Sequence, residues 1–515
     1  MVLFDAKDWS ECAGSGDDFR LGRGSCPRSP GERFLHVLKR LSVSAVLLIL
    51  GACSVGPEYS RTQTRATLGA EYVGVGQLGM REQADLRWWL DYRDPVLAAW
   101  VERLQQQNLD LKSLAERLLQ ARERVAVQRA GWWPALGVNA GGRRSFAPDL
   151  LNPDERTYTS TIEASGVISW QADLFGRIES AVASARYSAL AAEADYRALE
   201  HSLIAELVNR RAVVVLLLQE IGIQKQIVDS RQGTLETVAR RYRLGVPNAT
   251  AVGVFTAREN ASSARAQLLL LQQQLEETLL IVDVLLDLQP GTLYRDQTSL
   301  ADTLFPPMPP TQIPDVARPA QLLDMRPDIK AAEFRVMAAN ADIGVAVADL
   351  FPDLNFSLTR GFAGDQAGGL LRNNNAVGAL AGQLTTRLFE GGRLRAQIRQ
   401  SEARARELAF EYARVVLSAV AEVETALVQE QYLRQRVNEL RISVDAARQA
   451  GELAEARYQR GISPLLELLE TQRRRQVAER ALLGAQREAW AARINLQLAL
   501  GPRWPAPALS LNNSR

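Results

Sequence analysis

Two hydrophobic rhythms alternate along the chain. Between residues 175 and 244 no proline occurs, and Leu207, Val214, Ile221, Val228, Leu235 and Tyr242 recur seven apart. A helix of that length spans on the order of 100 Å at about 1.5 Å per residue. A sustained seven-residue repeat predicts left-handed supercoiled packing against neighbouring helices. The second half keeps Val423, Val437, Val444 and Tyr458 but sets Glu430 and Gly451 in the same register; its seam is expected to be weaker or differently shared. Ahead of each long helix the period falls to two: Leu136, Val138 and Ala140; Ile162, Ala164, Gly166, Ile168 and Trp170; Leu354, Phe356 and Leu358; Leu380, Gly382 and Leu384. Such alternation with polar residues predicts four strands, each with one apolar face. A first helix precedes each strand pair, from Pro95 to about Gly131 and from Pro327 to about Leu350. The former stops before Trp133-Pro134, because the residue preceding proline disfavours the α region.

The halves follow one plan. Trp133-Pro134-Ala135-Leu136 matches Phe351-Pro352-Asp353-Leu354. Asp173-Leu174-Phe175-Gly176-Arg177 matches Arg387-Leu388-Phe389-Glu390-Gly391-Gly392-Arg393. Arg241-Tyr242-Arg243-Leu244-Gly245-Val246 matches Arg457-Tyr458-Gln459-Arg460-Gly461-Ile462, and all offsets lie between 214 and 218 residues. Between the copies, six prolines in fifteen residues make 305–319 an extended linker. The expected division is a first repeat over 91–304, this linker, a second repeat over 320–502 and a tail over 503–515.

The start of the chain has a different logic. Lys39-Arg40 is followed by an apolar run over 41–50, then Gly51-Ala52 and Cys53. A basic start, a short apolar run and small residues are the parts of a secretory signal. The run is too short for a permanent span, which needs about 20 residues. Leu50-Gly51-Ala52-Cys53 resembles a bacterial lipobox, which implies a signal peptide over 34–52 and acylation of Cys53, leading an extended segment over 53–90. Residues 1–33 do not fit a signal. They are expected to be a gene-model extension, with translation starting near residues 35–38.

Composition removes whole classes of function. The 515 residues carry 61 basic and 59 acidic side chains, a net charge of +2 that gives no electrostatic case for nucleic acid. The three cysteines all lie within the first 53 residues and there are two histidines, so no zinc or thiol-redox pattern exists. GxSxG and the phosphate-binding GxxxxGK[ST] are absent too. Nothing points to an enzyme, a metal or a cofactor beyond the covalent lipid on Cys53.

Four strands of about ten residues have the length of a membrane-crossing β-strand but are too few to close a barrel, the smallest of which needs about eight. Several chains must therefore share one. The chain here resembles the TolC/OprM type of outer-membrane factor, in its lipoprotein branch. The resemblance rests on the lipobox with Gly56-Pro57-Glu58-Tyr59; Trp88-Trp89, Asp94-Pro95 and Asn108-Leu109-Asp110-Leu111; Trp170 through Arg177; Arg326-Pro327-Asp328-Ile329 with Ala332-Glu333; and the paired Tyr-x-x-Gly turns. It implies a mainly α fold with a transmembrane β-barrel portion, trimeric, duplicated within each chain. It also implies an efflux exit duct in the outer membrane with a periplasmic tunnel, coupled to a membrane-fusion adaptor and an inner-membrane pump, often of the resistance-nodulation-division class. Adaptor contact and gating would fall to Arg241, Tyr242, Arg243, Leu244 and Gly245 in one tip, and to Arg457, Tyr458, Arg460, Gly461 and Ile462 in the other. The family often has an Asp after the tip glycine; Ser463 stands there, leaving Glu467 or Glu470 as constriction acids. The alternatives are a non-porous coiled-coil envelope scaffold, which leaves the four alternating segments without a purpose, and a type I secretion duct.

Overall fold

The computed structural model describes residues 57, 72, 80–81, 87–148, 156–247, 249–295, 308–310, 312–314 and 319–501. The chain divides into Met1–Cys53, outside the described residues, and Ser54–Arg515. The predicted signal peptide, Cys53 and the tail therefore lie outside this description. In the second unit, β1 (Met80–Arg81) pairs in parallel with β4 (Ile313–Pro314), tying the N-terminal segment to the linker. The first repeat runs α1 (Pro95–Gln107), α2 (Leu109–Ala130), β2 (Ala135–Pro148), β3 (Arg156–Ala172), α3 (Arg177–Arg243) and α4 (Ala251–Leu285). The second runs α5 (Pro319–Met325), α6 (Pro327–Ala348), β5 (Asp353–Gly364), β6 (Ala376–Thr385), α7 (Arg393–Gln459) and α8 (Leu465–Leu500). The four long strands form one antiparallel sheet in the order β2-β3-β5-β6.

Local chemistry sets these boundaries. Asp94 caps α1, its carboxylate accepting from the Val96 and Leu97 amides at 2.9 and 3.2 Å. The single helix expected from Pro95 to Gly131 is in fact two. Asn108 leaves the helical conformation, accepts from the Asp110 and Leu111 amides at 3.0 Å and donates to the Leu285 carbonyl at 2.9 Å. Its side chain thus ends one helix, starts the next and ties both to α4. Both 67-residue helices begin at a glycine with positive φ, Gly176 (72°) and Gly392 (86°). Both end in the same turn, in which Val246 and Ile462 amides reach back to the Arg241 and Arg457 carbonyls, and Gly245 and Gly461 take positive φ.

The seams reverse the expectation from spacing. On α3, Leu207, Val214 and Ile221 are buried, but the buried line then slips three residues to Gln224, Arg231 and Val238. Val228 and Leu235 become half-buried and Tyr242 is exposed. On α7 the line holds without a slip through Val416, Val423, Glu430, Val437, Val444, Gly451 and Tyr458, all buried. Two of the polar seam residues are held by hydrogen bonds or ion pairs. Gln224 donates to the Ala264 carbonyl at 2.8 Å. Glu430 meets Arg493 at 2.5 Å and accepts from Arg434 Nε at 2.8 Å. Gly451 lies beside the stem of Arg475.

The largest core joins Trp88, Trp89, Tyr92 and Trp100 to α3, α4 and Trp490. At its heart Arg211 Nε meets Asp94 Oδ2 at 2.8 Å, both side chains fully buried, with the guanidinium 5.2 Å from the Trp100 ring centre. The carboxylate that caps α1 thus also neutralises a buried cation. Orphaning one partner of such a pair costs about 3–5 kcal/mol, whereas replacing both by apolar groups is often neutral. Asp94→Ala should therefore destabilise the helical part by about 3–5 kcal/mol. Adding Arg211→Met should recover all but the lost cap, worth about 1 kcal/mol. Chemical unfolding followed by far-UV circular dichroism checks both; additive losses would refute the coupling.

Candidate functional site

The sheet sorts its side chains by parity. Pairing sets Leu136 opposite Ile168, Val138 opposite Gly166, Phe146 opposite Tyr158, Trp170 opposite Phe356 and Leu354 opposite Leu384. Every one of these is an even-numbered position, so one face of all four strands is apolar. The other presents Asn139, Thr161, Glu163, Ser169, Gln171, Asn355, Thr359 and Gln383. Apolar outside and polar inside is the arrangement of a transmembrane barrel wall around water.

Aromatic rings bound the apolar face. Trp170 stacks on Phe356 at 5.8 Å near the helical end, and its indole nitrogen donates to the Trp132 carbonyl at 3.0 Å. Phe146 and Tyr158 lie 6.1 Å apart at the other end. The twelve steps from Tyr158 to Trp170 cover about 40 Å along the strand at about 3.3 Å each, or roughly 30 Å vertically at the usual barrel tilt. That matches the hydrocarbon core. Past the outer rings Arg156 sits 5.3 Å from the Phe146 ring, where a long side chain reaches headgroups while its stem covers apolar surface. Charged positions on this face inside the band are Arg144, opposite Ser160 and 5.2 Å from the Tyr158 ring, and Arg360, which faces Gly166 and Gly378, where no side chain crowds its stem. Among the described residues no helix is long and apolar enough to cross a membrane.

At the opposite end of the molecule the two helical turns meet. Val238 of α3, Ala257 of α4, Tyr458 of α7 and Leu468 of α8 form a small separate core. Arg241 clasps it: Nη2 donates to the Tyr458 and Gln459 carbonyls at 3.3 and 3.1 Å, and the guanidinium lies 4.7 Å from the Tyr458 ring centre. The structure therefore brings Arg241 and Tyr458 together and separates the two tyrosines that the repeat equates. Tyr458 is 8% exposed, the last seam residue of α7, whereas Tyr242 is 48% exposed. Arg243 turns back to the Ala239 carbonyl at 3.4 Å. Leu244 and Ile462 project into solvent, and Gly245 and Gly461 form the turns beside exposed Arg460.

The two acids have different settings. Glu467 lies 4.0 Å from Arg457 across the turn. Glu470 is held by Arg473 and Arg474, with Nε atoms at 2.9 and 2.8 Å. Hydrogen bonds from Arg473 and then Arg474 bring its carboxyl down to about 2, so it is ionised at any physiological pH but already neutralised by its neighbours. Sequence spacing alone had not marked Arg473 and Arg474. The i, i+3 and i, i+4 positions after Glu470 were the available signal. Among the described residues no cluster could hold a metal ion.

A family model described as outer membrane efflux protein matches residues 100–286 and 319–502, one block in each repeat. The chain is 29% identical over 479 residues to the pyoverdine export outer membrane protein OpmQ of Pseudomonas aeruginosa, covering 91% of this chain and 97% of that one. It is 30% identical over 475 residues to the outer membrane protein OprJ of the same organism, covering 90% and 96%. The solved structure of the outer-membrane channel OprN superposes with a TM-score of 0.79 at 27% identity, over 87% of this chain and 99% of that one. A duplicated α/β plan, a barrel wall that one protomer leaves open and a four-helix mouth at the far end agree with these likenesses, and the chain belongs to the outer membrane efflux protein family.

Proposed function

We propose that three copies form the exit duct of a tripartite efflux system. Each is lipid-anchored through Cys53, each meets a periplasmic adaptor at its helical tips, and the duct releases small toxic compounds delivered by an inner-membrane pump of the resistance-nodulation-division class. The observation that carries this reading is the pairing, in one chain, of a membrane wall with a polar inner face and a helical mouth at the other end of helices on the order of 100 Å long. Selectivity for cargo then belongs to the pump, since the described lining offers polar surface rather than an enclosed binding pocket. Exposed Tyr242, Leu244, Ile462 and Leu466 at the turns supply apolar anchors for an adaptor, of the kind that dominate interface energies.

Under this reading the Arg241 clasp holds the mouth shut, because it ties the end of α3 to the end of α7 and any widening that separates them must break it. A cation over an aromatic ring is worth about 0.5–1 kcal/mol at exposed sites, and hydrogen bonds from a charged donor about 1.5–3 kcal/mol. That is small enough for a pump cycle to overcome.

Deleting the gene should sensitise the cell to several unrelated toxic compounds, and unchanged minimal inhibitory concentrations across a broad panel would count against efflux. In planar bilayers, Arg241→Ala trimers should leak several-fold more than the native protein. Tyr458→Phe, which keeps the ring, should stay near native, and Tyr458→Leu should behave like Arg241→Ala. Equal conductance in all four would remove the clasp from gating. Cys53→Ala should end metabolic labelling with palmitate while trimers still assemble; persistent labelling would mean that the lipid is elsewhere.

A further inference from the structure

The sheet of one protomer has two free edges, β2 and β6, and the same chain contains a finished copy of the junction they need. β3 and β5 belong to different repeats, yet they pair along their length, from Ile162 with Gly364 to Ala172 with Leu354. The duplication makes β6 the counterpart of β3 and β2 the counterpart of β5. Correspondences follow from the structure rather than from sequence likeness. The ends of α2 and α6 at Ala130 and Ala348, and Trp133-Pro134 with Phe351-Pro352, place β5 218 residues after β2. The hairpin pairs Leu136 with Ile168 and Leu354 with Leu384, and the helix starts are Arg177 and Arg393. These place β6 216 residues after β3. The shared Leu-Phe of the two strand-to-helix turns is thus two residues out of structural register.

We propose that β6 of one protomer pairs with β2 of the next in the register inherited from the β3–β5 junction, setting Leu384 opposite the partner's Ala140 and Leu388 opposite the partner's Leu136. Both pairs join even-numbered positions, so the apolar face runs across the seam without a break. The register accounts for Leu388, which is 91% exposed and just past the end of β6. Its counterpart Ala172 is the last residue of β3 and pairs with Leu354, so β6 has three more residues to add once a partner strand is present. The inheritance stops higher up. Gly361 approaches β3 so closely that a Cβ would fall 2.2 Å from the Ala164 carbonyl, and its counterpart in β2 is Arg143, which cannot repeat that approach.

The helices beneath show the same unfinished junction. α6 packs against both α3 and α7, whereas α2 packs principally against α3 and buries only Leu111. By the same correspondence, α7 of the neighbouring protomer takes the free side of α2. Ala194 of α3 is fully buried, and its counterpart on α7, Phe410, is 75% exposed, a large apolar side chain placed where a second copy would cover it.

The test is disulfide formation in the assembled, lipidated protein. Directly opposed residues of paired strands lie about 4.5–5.5 Å apart at Cα, within disulfide reach. Leu384→Cys with Ala140→Cys, and separately Leu388→Cys with Leu136→Cys, should give covalent trimers on non-reducing gels. Single-cysteine variants should give none, and Leu384→Cys with Val138→Cys or with Gly142→Cys at least tenfold less. A stronger yield at Val138 or Gly142 would overturn the register, and so would intact trimers that link at neither proposed pair. The two proposed pairs are independent, so failure of one double variant to assemble leaves the other to decide.

Discussion

Water is missing from the hydrocarbon core, and that single fact disciplines the whole chain. A backbone amide or carbonyl left unpaired there costs several kcal/mol, and an edge strand carries a row of them. This protomer has 14 residues in β2 and 10 in β6, each with one side unpaired. No rearrangement within one chain can remove both edges, because four strands are far short of the smallest closed barrel. Association is therefore not an addition to the fold but the completion of its hydrogen bonding. The exposed apolar face of the strands has the same meaning. Leu136, Val138, Leu380 and Leu384 would be an aggregation hazard in water, and in lipid they are simply solvated.

The duplication turns this constraint into geometry. Each repeat supplies one hairpin and one pair of long helices, and the turn from strand to helix is made by a glycine with positive φ in both. One junction between hairpins, β3 with β5, is built inside the chain, and beside it Phe175 stacks on Phe351 at 4.6 Å. The copies then diverge in what they bury. α7 keeps an unbroken seam because Glu430 is neutralised by Arg493 and Arg434, while α3 slips three residues and brings Gln224 and Arg231 inward. A three-residue slip overwinds a seven-residue repeat locally, so two helices of equal length make unlike contacts.

How far residues alone reveal this depends on where the deciding partner lies. Strand parity was legible, since alternation is set by the chain's own pleat and needs no knowledge of neighbours. The tips were legible for the same reason: Gly245 and Gly461 form their turns locally. The break at Asn108 was missed although its signal was present, an Asn that can cap the helix whose first residues are Leu109 and Asp110. The weight of the seams was misread for a deeper reason. Apolar spacing marks a face that is buried somewhere, and a helix between its own chain and a neighbour has two such faces. Val228, Leu235 and Tyr242 keep the seven-residue spacing, yet in the protomer the buried line is the one three residues away. The same ambiguity separates Tyr242 from Tyr458. Identical motifs place them, but only one finds the other hairpin beside it.

The charge at the mouth follows from helix ends rather than from cargo. α3 ends with Arg240, Arg241 and Arg243, and α7 with Arg457. Cations in a last turn are favourable because unpaired carbonyls accumulate there. Arg241 uses that position twice, capping the Tyr458 and Gln459 carbonyls of the other hairpin as well as facing its ring. On the opposite sides of the turns, Glu467 and Glu470 already face Arg457, Arg473 and Arg474. A carboxylate held by two guanidinium groups contributes little negative potential at a distance, so this mouth lacks the acidic character that two glutamates in isolation would suggest. On the gating reading proposed above, closure rests instead on contacts between the hairpins. On that same proposed reading, an exit duct that passes whatever its pump delivers is better served by a latch made of backbone carbonyls and a ring than by a fixed ring of acids.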